Sequence, residues 1–250
     1  MSPTGIAIAV FGCVFGGALV GIGLRALLPE HHLAPETKEV VRLSMGLVAT
    51  MSALVLGLLV ASAKGAYDTQ SSEFTDLSSK VAMLDRMLAH YGPAADSTRA
   101  VLKSLVGATL ERMDAAGPGT HDLESPGPAA ERLFASIQGL RPATDEQREM
   151  RGHALDATLS IGQLRWTMYE QRITSFSRPL LFMVVGWLTI IFLSFGLYAK
   201  PNGTVTVALA TAAASVSAAI FLILELYQPY SGLVRISLAP LQAVFQHLGQ

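Results

Sequence analysis

The chain is poor in charge. Only 15% of its 250 residues are Asp, Glu, Lys or Arg, while 51% are apolar. Soluble domains usually carry about 25% charged residues, so the deficit points to a membrane protein. Neither sign dominates: 18 Lys and Arg face 19 Asp and Glu, a net charge of −1, which excludes an electrostatic case for nucleic acid as a partner. Cysteine is almost absent. Cys13 stands alone, which excludes an intramolecular disulfide and a thiolate metal centre. Within an apolar run it reads as a small lipid- or helix-facing residue.

Catalytic signatures are missing as well. There is no nucleophile elbow, no phosphate-binding glycine loop and no H-E-x-x-H, so the expectation is a protein that is not an enzyme and needs no cofactor. His31-His32, near Glu30 and Glu36, could be imagined as a metal site. Adjacent histidines point apart and no third spaced ligand follows, so a solvated loop is the better reading. The apolar runs also lack internal carboxylates and histidines. A charge at the bilayer centre costs about 2.5–3.5 kcal/mol on insertion scales and is kept for function, so its absence argues against proton-coupled transport.

What the chain does have is four uncharged runs. Gly5 to Leu24 is the first. No Lys or Arg precedes it and no clear A-x-A site follows, so it reads as a retained anchor rather than a signal peptide. Its glycines include the spacings 12, 16 and 17, 21, which let another helix approach closely. The second run, Leu43 to Ala63, has 21 residues between Arg42 and Lys64. At 1.5 Å per residue that is about 32 Å of helix, enough to cross a hydrocarbon core of roughly 30 Å. Pro179 to Ala199 and Thr204 to Leu224 are the third and fourth, separated by the turn Lys200-Pro-Asn-Gly203. The fourth is rich in Ala, Ser and Thr, a composition favouring helix contact over lipid.

Past Lys64 the second run continues without proline, and its pattern changes. Tyr67, Gln70, Phe74, Leu77, Val81, Leu84, Leu88 and Tyr91 recur at steps of three and four, the seam of a helix packed against others in water. Gly92-Pro93 stops it. A helix over 95–115 should bury Leu102, Val106, Thr109 and Met113, with Leu105 beside them. A Gly/Pro-rich break (115–128), a short helix (128–139) and a capping-box start at Thr144-x-x-Gln147 come next. The last soluble helix shows a second seam: Leu155, Leu159, Gly162, Trp166, Tyr169, Ile173 and Phe176. Two such seams, one leaving the membrane and one returning, predict an antiparallel pair with Leu84 and Leu159 at similar height.

The expected fold is therefore all-α: transmembrane helices 1 and 2 (1–63), a helical cytoplasmic stalk domain (64–178), transmembrane helices 3 and 4 (179–225), and an amphipathic tail (226–250) lying on the membrane or on a neighbour. Four spans put both termini and the stalk on one side. That side carries Lys64, Lys80, Arg165, Arg172, Arg178 and Arg235 against Arg25, Lys38, Arg42 and Lys200 opposite, a vote for the cytoplasm.

The stretch LPEHHLAPETKEVVRLSMGLVATMSALVLGLLVASAKGAYDTQ (28–70), together with FLILELYQPYSGLVRIS (221–237), resembles the bestrophin-like family of bacterial membrane proteins. The family's last-span motif runs acidic–Leu–Asp–Arg–Pro. Here Glu225-Leu226 is followed by Tyr227-Gln228-Pro229, so the Asp and Arg are replaced. The resemblance implies four transmembrane helices with a helical cytoplasmic insert, in the bacterial inner membrane. It also implies distant kinship with bestrophins, pentameric ion channels whose second helix lines the pore.

Two functions follow. The first is a homo-oligomeric channel for inorganic ions, with an apolar pore gated by dewetting. Its lining would be the face Ser44, Val48, Met51, Ser52, Val55, Leu59 and Ser62, with Arg42, Lys64 and Glu225 as charges at the mouths or membrane ends. The opposite face, Gly46, Thr50, Ala53, Gly57 and Ala61, would suit tight helix packing. The alternative is a non-conducting scaffold in the bilayer, whose stalk recruits a partner or organises lipid.

Overall fold

The computed structural model describes residues 2–29, 35–115, 128–174, 178–230 and 232–250. The order is α1 (Pro3–Leu27), α2 (Pro35–Tyr91), a 3-10 turn (Pro93–Ala95), α3 (Asp96–Ala115), α4 (Pro128–Gln138), α5 (Asp145–Thr174), α6 (Arg178–Tyr198), α7 (Gly203–Leu226) and α8 (Ala239–His247). No strand occurs among the described residues. Four helices, α1, α2, α6 and α7, are long and apolar enough to cross a membrane. Glu30, His31 and His32, read as part of a solvated loop, and most of the Gly/Pro-rich break lie outside the described residues. Among those described, no three His, Cys, Asp or Glu gather as a metal site.

The chain divides into two compact units, Met1–Gly65 with Phe176–Tyr227, and Ala66–Ser175 with Gln228–Gln250. In the first, α1 and α6 run parallel with their backbones in contact. A Cβ at Gly21 would overlap the Leu193 carbonyl oxygen, one at Gly17 would crowd Thr189, and one at Gly196 would overlap the Ala18 carbonyl. The 17, 21 spacing is thus the notch that admits α6, whereas Gly12 and Gly16 face open space. One turn on, Arg25 Nη1 donates to the Ala199 carbonyl at 3.0 Å, placing a cation at the α6 C-terminus. On the side of α1 that meets α7, buried Ser217 donates its hydroxyl proton to the Ala7 carbonyl. Asn202 caps α7, its Oδ1 accepting from Thr204 N at 3.1 Å.

In the second unit the α2 seam is the core. Gln70, Phe74, Leu77, Val81, Leu84, Leu88 and Tyr91 are all buried and Tyr67 is half-buried, as the spacing requires. Gly92, at φ 100°, ends the helix in the left-handed region open to glycine. The expected α3 face is also in place, with Leu102, Val106 and Met113 buried and Thr109 and Leu105 partly so. At the start of α5, Gln147 N donates to Thr144 Oγ1 (3.2 Å) and Gln147 Oε1 accepts from Ala143 N (2.8 Å). The same side chain donates from Nε2 to the Tyr91 carbonyl (3.0 Å), tying that cap to the end of α2.

The second seam needs correction. α5 does pair antiparallel with α2: Lys80 Nζ donates to Ser160 Oγ (3.1 Å) and Gln171 Nε2 to Glu73 Oε1 (2.7 Å). But the buried face of α5 is Ala154, Thr158 and Met168, flanked by Ala157, Ile161 and Leu164. Leu159 and Trp166 are exposed; Ile173 and Phe176 lie beyond the described side chains. Trp166 lies over Tyr169 and donates Nε1–H to Glu170 instead. The physical reason is that α5 has apolar residues on two stripes and only one of them can face the core, here the one carrying Ala154, Thr158 and Met168.

The tail, expected on the membrane or on a neighbour, instead folds back into the second unit, because that unit's own core takes up its apolar face. Ile236, Leu241 and Leu248 are buried in its core, and Phe245 packs on Gly107 of α3. Lys103 Nζ donates to the Leu248 carbonyl (2.9 Å) and sits 5.8 Å from the Phe245 ring centre. Buried Asp85 and half-buried Arg99 form a two-point ion pair, Nε and Nη2 each 3.0 Å from a carboxylate oxygen, and Arg99 also donates to the Gln250 carbonyl (3.1 Å). The hydrogen bond to Asp85 holds the guanidinium above the ordinary arginine value. This contribution is complete below the ordinary value and lost only as pH rises through the raised one, so Arg99 stays charged at any working pH.

Candidate pore helix and its open face

From Leu43 to Ala63, α2 offers no ionisable side chain, and three of its four hydroxyls are satisfied by its own backbone. Ser44 donates to the Val40 carbonyl (2.9 Å), Thr50 to Gly46 (2.9 Å) and Ser52 to Val48 (2.8 Å). This helix therefore presents an apolar surface despite four Ser and Thr residues in the run. One side of it is used inside the protomer. Leu59 and Ala63 are buried in a cluster with Val184 of α6 and Ile223 of α7, flanked by Val55, Leu56, Leu180 and Leu188. Tyr227 donates to Ser62 Oγ at 3.2 Å, or accepts from it, tying the end of α7 to α2.

The expected lining residues do not share one open face. Ser44, Met51 and Ser62 are exposed, Val48 and Val55 are half-buried, and Ser52 and Leu59 are each 3% exposed. Within the protomer Leu59 packs on the neighbouring helices and Ser52 is closed off as well, so these two lie apart from the open positions. Of the three end charges, Arg42 and Lys64 are exposed, whereas Glu225 is buried at the last turn of α7.

The face left open lies opposite. Leu43, Leu47, Leu54 and Leu58 are 60–71% exposed, and beside them the small residues Gly46, Thr50, Ala53, Gly57 and Ala61 are exposed too. Gly46 and Gly57 meet nothing within 4 Å. Only 11% of the apolar window of α2 is buried inside the chain, against 22–28% for the other three spans, so this helix has the most unclaimed surface. The leucine stripe was not singled out from sequence. Its one signal was that leucines at 43, 47, 54 and 58 share a helical face, which equally describes a lipid-facing helix.

The family profile described as a Bestrophin-like domain matches residues 12–241. The chain belongs to the bestrophin-like family. No curated protein and no solved structure matches it. The bestrophin-like match spans all four membrane helices and the whole helical region between the second and third, so family membership covers the candidate pore helix and the soluble unit alike.

Proposed function

We propose that this bestrophin-like protein is a homo-oligomeric, non-enzymatic channel for inorganic ions in the bacterial inner membrane. The pore is formed by the open face of α2. Both termini and the second unit lie on the cytoplasmic side, and the pentamer implied by family kinship is the expected assembly. The observation that carries the reading is that open face: four leucines and a small-residue stripe, unclaimed by the protomer, on the helix that family kinship points to. In a ring of such helices the small stripe lets neighbouring copies approach, and the leucines make an apolar constriction. An apolar ring resists ions because a hydrated ion must shed water there without receiving ligands, so it gates by wetting.

Planar-bilayer recording tests this. Leu54→Ser should wet the constriction and raise conductance over wild type, while Leu59→Ala, inside the protomer, should loosen the fold and leave unit conductance unchanged. If folded, oligomeric preparations carry no current under any ion gradient, wild type and Leu54→Ser alike, the channel reading fails and the scaffold remains.

A further inference from the structure

On α5, Leu159 and Trp166 are 54% and 47% exposed. Gly162 between them meets nothing within 4 Å on its Cβ side, and Tyr169 continues the stripe half-buried. Steps of three and four are the repeat of one helix laid along another, yet among the described residues no helix covers this ridge. On the same unit, α2 turns Ser72, Thr75 and Ser79 outward, all exposed. Thr75 and Ser79 each spend the hydroxyl on the carbonyl four residues back, at 3.1 Å. These three positions make a row of small side chains, a groove in outline, bounded at one end by Met83, which is 60% exposed.

The register of the two helices is set by Lys80 with Ser160 and Glu73 with Gln171. It puts Gly162 level with Ser79 and Asp156 level with Arg86. Asp156 and Arg86 are exposed, and neither side chain has an ionic or hydrogen-bond partner among the described residues. We infer that the α5 ridge of one copy docks into the α2 groove of the next, with Asp156 paired to Arg86 across the contact. The inference rests on the oligomeric reading above and names the surface by which copies meet. Ridge and groove are different patches, so the contact is heterologous and closes a ring by rotation. Rotation about an axis parallel to α2 conserves height, so residues level within a copy stay level between copies. Large side chains then meet small ones along the seam, and the two unpartnered charges of opposite sign meet at its end, which fixes the register.

Cross-linking in membranes tests it with the full chain on a Cys13→Ser background. Copies with Ser79→Cys and differently tagged copies with Gly162→Cys are made together and treated with a short bifunctional thiol reagent. A band joining the two tags is expected from the mixture and from neither variant alone. Asp156→Arg in the Gly162→Cys copies should weaken the band several-fold, and Arg86→Asp in the Ser79→Cys copies should restore it. Native mass of the same preparations separates the failures. A ring without the joined band overturns this docking and leaves the channel reading standing, the ridge then facing solvent or a foreign protein. A monomer overturns both.

Discussion

The two long helices of the second unit carry stripes of the same period and put them to opposite use. In α2 the stripe from Gln70 to Tyr91 is wholly buried and holds the largest core side chains, Phe74 and Tyr91 among them. In α5 the stripe with the largest side chains is open, and the helix reaches the core through Ala154, Thr158 and Met168. The difference follows from position. α2 is central: α5 pairs with it, α3 is clasped to it through Arg99, and Tyr67 donates its hydroxyl proton to the Arg235 carbonyl of the tail at 3.2 Å. α5 lies at the edge and needs only a narrow inner strip. Large apolar residues at helical spacing announce a contact, and the centrality of the helix decides whether that contact lies inside the chain.

The contrast can be broken most severely at the centre. Asp85→Ala leaves the largely enclosed Arg99 guanidinium without its carboxylate, and removing one partner of a buried pair costs up to about 3–5 kcal/mol. Thermal unfolding of the purified protein should show this loss, and restoring Asp85 as Asn should recover only a fraction of it. A loss near zero would mean the clasp is solvated. Leu84→Ala comes next, a fully buried seam residue whose truncation should cost about 2–5 kcal/mol in the same assay.

In the first unit the parallel comparison is between two glycine pairs on α1. Gly21→Ala pushes a methyl group into the α6 backbone and should destabilise by about 1–3 kcal/mol or more, because neither backbone can yield cheaply. Gly16→Ala meets only open space and should be neutral or stabilise by up to about 1 kcal/mol through helix propensity. Equal effects at the two sites would mean that α1 does not meet α6 at the notch. The smallest effect belongs to Trp166→Ala. With the ring half exposed on α5, its loss within one protomer should stay under about 1 kcal/mol in denaturant unfolding, within the range of surface changes. A cost like that of Leu84 would put the tryptophan back in the core.

Much of this molecule was legible because its signals are local. The four uncharged runs, the α2 seam, the stop at Gly92, the cap at Thr144 and the notch at Gly17 and Gly21 each depend on residues a few positions apart. What was not legible depends on choices between faces. Ser52 and Leu59 share an apolar helix surface with residues just as hydrophobic, and only the arrival of Val184 and Ile223 makes their side the inner one. The α5 stripes differ in the same way, and bulk pointed to the wrong one. The tail's amphipathic spacing marked a buried face, while its destination on α3 needed Gly107 to make room for Phe245 and Lys103 to reach the Leu248 carbonyl. Glu225 was read as an end charge from its place after the fourth uncharged run, and that position carried no sign that its side chain is buried.

The return of the tail also sets an order in time. Ile236, Leu241 and Leu248 are core residues of a unit whose other members end at Ser175, and α6 and α7 are made in between. A ribosome working from the N-terminus releases α2 to α5 long before the tail, so that unit waits with the Leu102 and Gly107 face of α3 uncovered while the last two spans enter the bilayer. Contacts this distant in sequence form slowly, and an apolar face left open meanwhile invites chaperones and aggregation. Completion of the second unit thus follows the synthesis of α6 and α7, and a chain that stops before α8 leaves that part of its core uncovered.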